Sequence, residues 1–130
     1  MRVKTRIGEE SGQSMAEFAV VLPVLVVVLF AIVQFGILFN NYITLTDAVR
    51  AGARAAAVSR NDADPTGTAV SAVRASASGL NQGNLQPSVS SGWQPGGDVT
   101  VTATYPYSIS LLGWVVNAGS LTVSTTERVE

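Results

Sequence analysis

Cysteine and histidine are both absent from these 130 residues. Without cysteine there is no disulfide, no thiolate metal site and no lipid-modified thiol. Without histidine the commonest general base and the commonest metal ligand are gone. Charge is also scarce: 8 Lys and Arg against 9 Asp and Glu, a net −1. The basic residues are thinly spread, which leaves no electrostatic footprint for nucleic acid. Asp, Glu, Ser and Lys chemistry is formally open, but no catalysis, cofactor, metal or small-molecule substrate is expected.

What the chain does have is a long run without charge. From Phe18 to Phe39 it is almost wholly Val, Leu, Ile, Phe and Ala, and the next charge after Glu17 is Asp47. As a helix this run measures roughly 33 Å, enough to cross a hydrocarbon core of about 30 Å. Arg2, Lys4 and Arg6 precede it, and a short basic tail favours an N-inside orientation with the C-terminal part exported. The expected place is a cytoplasmic membrane, crossed once. A secretory signal cut at Ala51-Gly52-Ala53 or Ala55-Ala56-Ala57 is a rival, but the apolar core of such a signal spans only about 7–15 residues.

Glu17 stands at the lip of the span, where a carboxylate is costly unless partnered. A cut between Gly12 and Gln13 would create an α-amine four residues before Glu17. Positions i and i+4 share a helix face, so that ammonium and Glu17 could neutralise each other within a chain or between neighbours. Gly12, Gln13, Glu17 and Phe18 resemble the leader of type IV-like prepilins. There a membrane aspartic peptidase cuts after Gly, and the mature chain carries Glu fifth and an aromatic sixth. An ordinary signal-anchor with a chance Glu is the plain alternative.

Pro23 cannot donate to the carbonyl of Ala19 and is expected to kink the span or open it locally. Beyond the span, Leu38, Tyr42, Leu45, Val49, Ala53 and Ala56 recur at helical spacing. They predict one stripe, packed against the chain's own C-terminal domain or adjacent subunits, on a helix continuing to about Ser59, with Asn40, Thr44, Asp47 and Arg54 opposite and Arg50 at the edge. Ala48, Gly52 and Ala56 form a ridge of small residues. Such a ridge suits close helix–helix contact or a helix lying under a sheet.

The remainder, 61–130, is one small exported domain. Asp64 and Pro65 read as N-cap and first helical residue of a helix over about 65–79. The Gly-, Ser- and Pro-rich stretch 81–97 reads as loop, with a possible short strand at 85–90 and Trp93 capping the core. Alternation predicts strands at about 98–105, ended by Pro106, and 120–129. The apolar segment 109–116 is open between a loop over the sheet, a buried helical turn and an exposed patch. The fold class is α+β: a long N-terminal helix over 13–60, spanning at 18–39, followed by a small antiparallel sheet.

Glu17-Phe18-Ala19-Val20-Val21-Leu22-Pro23, Gln34-Phe35-Gly36 and Ala48-Val49-Arg50-Ala51-Gly52-Ala53-Arg54-Ala55-Ala56 together resemble the TadE-like pseudopilins of tight-adherence (Flp-type) pili. The resemblance covers about Ser11–Val58. Gln34 departs from it, since relatives often carry an acidic residue there. The resemblance implies a pilin-like fold and a minor pilin or pseudopilin with a leader over 1–12. It also implies work with a prepilin peptidase, other pilins, membrane lipid, an inner-membrane platform and a cytoplasmic ATPase, in adhesion or secretion. The alternative is an uncleaved single-span protein whose exported domain binds a ligand or adheres.

Overall fold

The computed structural model describes residues 7–130, with side chains from Ser11 onward. The basic residues Arg2, Lys4 and Arg6, and with them half of the expected leader, lie outside the described residues.

One helix, α1, runs from Ile7 to Val58. It starts earlier than the sequence reading places it and passes through Gly12 and Pro23. A single interior Gly costs only about 1 kcal/mol, and nothing else in Ser11–Ser14 forbids an α-helix. Along 18–39 nearly every side chain is exposed; Val26, Gln34 and Leu38 alone are partly covered. This stretch is long and apolar enough to cross a membrane.

From Leu45 the helix becomes one-sided. Leu45, Ala48, Val49, Ala53 and Ala56 are fully buried, and Gly52 is buried among them. Ser59 ends the helix, its Oγ donating to the Ala56 carbonyl at 3.2 Å and the Pro65 carbonyl at 3.4 Å. Helix α2 (Pro65–Ser76) starts on Asp64, whose Oδ1 accepts from Gly67 N–H at 2.9 Å. It ends before the expected Gly79, at Ser76 with Ala77 as its C-cap, and buries Ala69 and Val73.

The sheet is a three-stranded antiparallel meander in the order β1 (Gln86–Ser91), β2 (Asp98–Leu111), β3 (Trp114–Arg128). Val99, Val101 and Ala103 turn inward onto the helices. Thr100, Thr102 and Thr104 turn outward, and their hydroxyls pair with Thr126, Ser124 and Thr122 on β3. This alternation is what an antiparallel sheet with one wet face requires. Trp93 packs against the core.

Two strand boundaries differ from the sequence reading. Pro106 does not end β2; it pairs with Ser120. β1 accompanies β2 only as far as Thr104, so Pro106 stands on an edge, where its missing N–H is tolerated. The apolar segment 109–116 is neither loop nor helix. It is the end of the β2–β3 hairpin, turning at Leu112 (φ 50°) and Gly113 (φ 86°), a two-residue turn with positive φ at both positions.

Candidate processing and assembly site

Gly12, Gln13, Glu17 and Phe18 lie on α1 at the N-terminal end of the apolar run, and all four are exposed. The i, i+4 geometry brings Gln13 and Glu17 together: Gln13 Nε2 donates to Glu17 Oε1 at 3.1 Å. The sequence reading sought an α-amine on Gln13 as the partner. In the intact chain the side-chain amide of the same residue fills that place. Ala16, Val20 and Val21 neighbour Glu17 on the same exposed stretch of α1, so the carboxylate stands beside apolar side chains. An exposed aromatic, Phe18, stands beside it, 60% accessible.

Gly12 has open space where a Cβ would point. The bond after it is therefore unobstructed by its own side chain, but it lies inside a regular helix. Opening this turn is what any cleavage of the bond would require. The local sequence Ser11-Gly12-Gln13-Ser14 is suited to that, because Gly and Ser are weak helix formers.

Pro23 sits within continuous helix. Further along, Gln34 is the single polar side chain between Phe18 and Phe39. It does not face outward with its neighbours. It lines a cleft of about 270 Å³ with Leu38 and Asn41 on α1 and Tyr105 and Tyr107 on β2. Sequence reasoning missed this role, since nothing local to Gln34 says which distant strand comes to cover it.

The expected packing stripe is covered only in part within the single subunit. Leu45 and Val49 are fully buried, but Tyr42 is 46% exposed. The buried sector of α1 is centred on Leu45 and Gly52, which leaves Tyr42 at its edge. Asn41 and Leu38, both half-buried, continue that sector toward the span.

The ridge Ala48, Gly52 and Ala56 is occupied within the subunit. A Cβ on Gly52 would meet the side chain of Val73 and lie 3.2 Å from the Ala69 carbonyl and 3.3 Å from Val101 Cγ1. The small residues therefore admit both α2 and β2, so within the subunit the ridge serves a close helix–helix contact as well as a helix lying under the sheet. Among the described residues no cluster of acidic side chains is arranged to hold a metal.

Neither the curated proteins nor the solved structures contain a match to this chain. Residues 12–54 match the family model described as TadE-like protein, from Gly12 through the span to the buried ridge, so the TadE-like resemblance of the sequence is borne out over that stretch.

Proposed function

We propose that this chain is a minor pilin or pseudopilin subunit of a tight-adherence (Flp-type) pilus, serving adhesion or secretion. A prepilin peptidase cuts it after Gly12. It is anchored by α1 with its N-terminus inside and the sheet domain outside, and is handed to a filament by an inner-membrane platform and its ATPase. The observation that carries this reading is the Gln13–Glu17 pair at the lip of an uncharged span, within the stretch that matches the TadE-like model.

The chemistry runs as follows. Hydrolysis of the Gly12–Gln13 peptide takes up water and leaves a carboxylate on Gly12 and an ammonium on Gln13. The new charge arises one helical turn before Glu17, on the face where Gln13 already contacts it. Paired, the two ions enter an apolar packing environment as a neutral unit. Unpaired, either would be expensive there. Cleavage thus converts a membrane anchor into a helix able to slide from lipid into a bundle of like helices. The structural role requires no active site.

N-terminal sequencing of the protein from native membranes and from sheared pili tests this. The expected mature chain begins at Gln13 in both fractions. Retention of residues 1–12 in both would overturn the pilin reading and leave an uncleaved anchor with an exported binding domain.

A further inference from the structure

β2 runs antiparallel to α1, from its outer end back along it toward the span, and β3 returns beside β2 to that outer end. At the outer end Glu130 N–H donates to the Ala57 carbonyl at 2.9 Å. At the other end Tyr105 and Ile109 share a cleft with Gln34 and Leu38. Gln34 lies inside the apolar run, about 8 Å before its outer end at Phe39. The Leu112–Gly113 turn lies three residues beyond Ile109, about 10 Å further along the strand. The hairpin tip therefore stands beside the outer half of the span, not above it.

Three features of the tip suit that level and not water. No charged residue occurs between Asp98 and Glu127, so every charge of the hairpin sits at its far end. Trp114 is 81% exposed and Leu112 67%, with Val115 and Val116 exposed beside them. Leu112 holds φ 50° in a two-residue turn that normally takes Asn, Asp or Gly, so an apolar side chain occupies a position where a water-facing turn favours a small polar one. The three tyrosines add a fourth indication. Tyr105 and Tyr107 border the cleft and Tyr42 follows Asn41 on α1, which places them where an interfacial aromatic belt belongs.

We propose that the β2–β3 hairpin tip, Leu111–Val116, is a second membrane contact. Its apolar side chains are immersed among the acyl chains of the outer leaflet alongside α1. The hairpin then fixes how the sheet domain is held over the bilayer and covers Gln34 from lipid. This rests on the reading that α1 spans the membrane with the domain outside.

The test uses the full chain at one copy per phosphatidylcholine nanodisc. Because the chain has no cysteine, single cysteines at Val115→Cys, Val28→Cys and Ser88→Cys can each carry an environment-sensitive fluorophore. Expected are blue-shifted emission and strong quenching by acyl-chain bromines at 115 and 28, and neither at 88. Quenching at 28 without 115 overturns the hairpin proposal and leaves the span intact. Loss of quenching at both 28 and 115 overturns the span reading, and the hairpin proposal falls with it. Shielding of 115 only in assembled pili, with none in nanodiscs, identifies a protein–protein surface and also overturns it. Intrinsic Trp114 emission in Trp93→Phe gives the same answer without a label.

Discussion

Gly52 and Val73 meet where α1 crosses α2, and Cγ2 of Val73 occupies the space that any side chain on Gly52 would need. The Ala69 carbonyl and Val101 Cγ1 close the same site at 3.2 and 3.3 Å. One missing methyl group thus lets a helix, a second helix and the central strand share a single contact point. An interior Gly gives up about 1 kcal/mol of helix propensity relative to Ala, and here that loss is offset by the close approach. Gly52→Val is expected to destabilise the C-terminal domain by about 1–3 kcal/mol through overpacking. Adding Val73→Ala to Gly52→Ala should recover part of the loss caused by Gly52→Ala alone. Thermal melts of the four proteins in detergent measure both effects.

The phase of the outer helix can be tested by charge. Leu45 and Val49 are fully buried, so Leu45→Asp or Val49→Asp would strand a desolvated carboxylate without a partner. The domain should become sensitive to protease in either case. Thr44 is half-buried, with its Oγ1 donating to the Asn40 carbonyl at 2.9 Å, and Thr44→Asp should have a smaller effect. Leu45→Ala is expected to cost about 2–5 kcal/mol, whereas Tyr42→Ala, at the edge of the packed sector, should cost little. Equal loss at 42 and 45 would show that the buried sector is wrongly placed.

Asp64 Oδ1 caps α2 by accepting from Gly67 N–H at 2.9 Å, and Asp62 Oδ2 accepts from Thr68 Oγ1 at 3.0 Å. Asp64→Ala should cost about 1 kcal/mol, and Asp64→Asn much less, because the amide oxygen can still cap. Chemical denaturation of the two variants separates capping from charge.

Gly12→Val should block processing after residue 12, because a branched side chain then occupies the space now open beside the scissile bond. Intact mass of the protein from host membranes reads the outcome. Normal processing of Gly12→Val would remove Gly12 from the recognition site.

Glu17→Gln and Glu17→Ala should insert into the membrane normally and fail to assemble. Insertion gains from the loss of a charge, while the ammonium that the proposed cleavage would form at Gln13 would lose its partner, a penalty of several kcal/mol in an apolar bundle. Pilus yield and membrane fractionation, measured on the same cells, separate the two steps. Normal pili from Glu17→Ala cells would end the proposed role of the pair.

What the sequence by itself determined is local or periodic. Absence of charge over Phe18–Phe39 dictates a helix long and apolar enough to cross a membrane, because so long an exposed apolar run is costly in water. The i, i+4 spacing of Gln13 and Glu17 dictates their contact, since one helical turn is enough to bring them together. Alternation of Val99, Val101 and Ala103 with threonines dictates a strand and its buried face. Asp64-Pro65 dictates where α2 begins. Each of these follows from interactions within a few residues or from a repeat that matches a helix or strand.

Tertiary structure decided the rest, because it depends on which distant segments meet. Whether Ala48, Gly52 and Ala56 receive a neighbouring subunit or their own domain turns on Val73 and Val101, which are remote in sequence. Pro106 looks like a strand end until the partner on each side is known: β1 has already left, β3 continues, and the strand runs on past it. Ile109–Val116 could have been loop, helix or patch, since a short apolar run carries no period of its own. Only the pairing of Leu111 with Trp114 makes it a hairpin tip, and only the direction of that hairpin along α1 brings it level with the span. Tyr42 left the packed stripe for the same reason: periodicity fixes which residues share a face, while the approach of α2 and the sheet fixes where that face is covered.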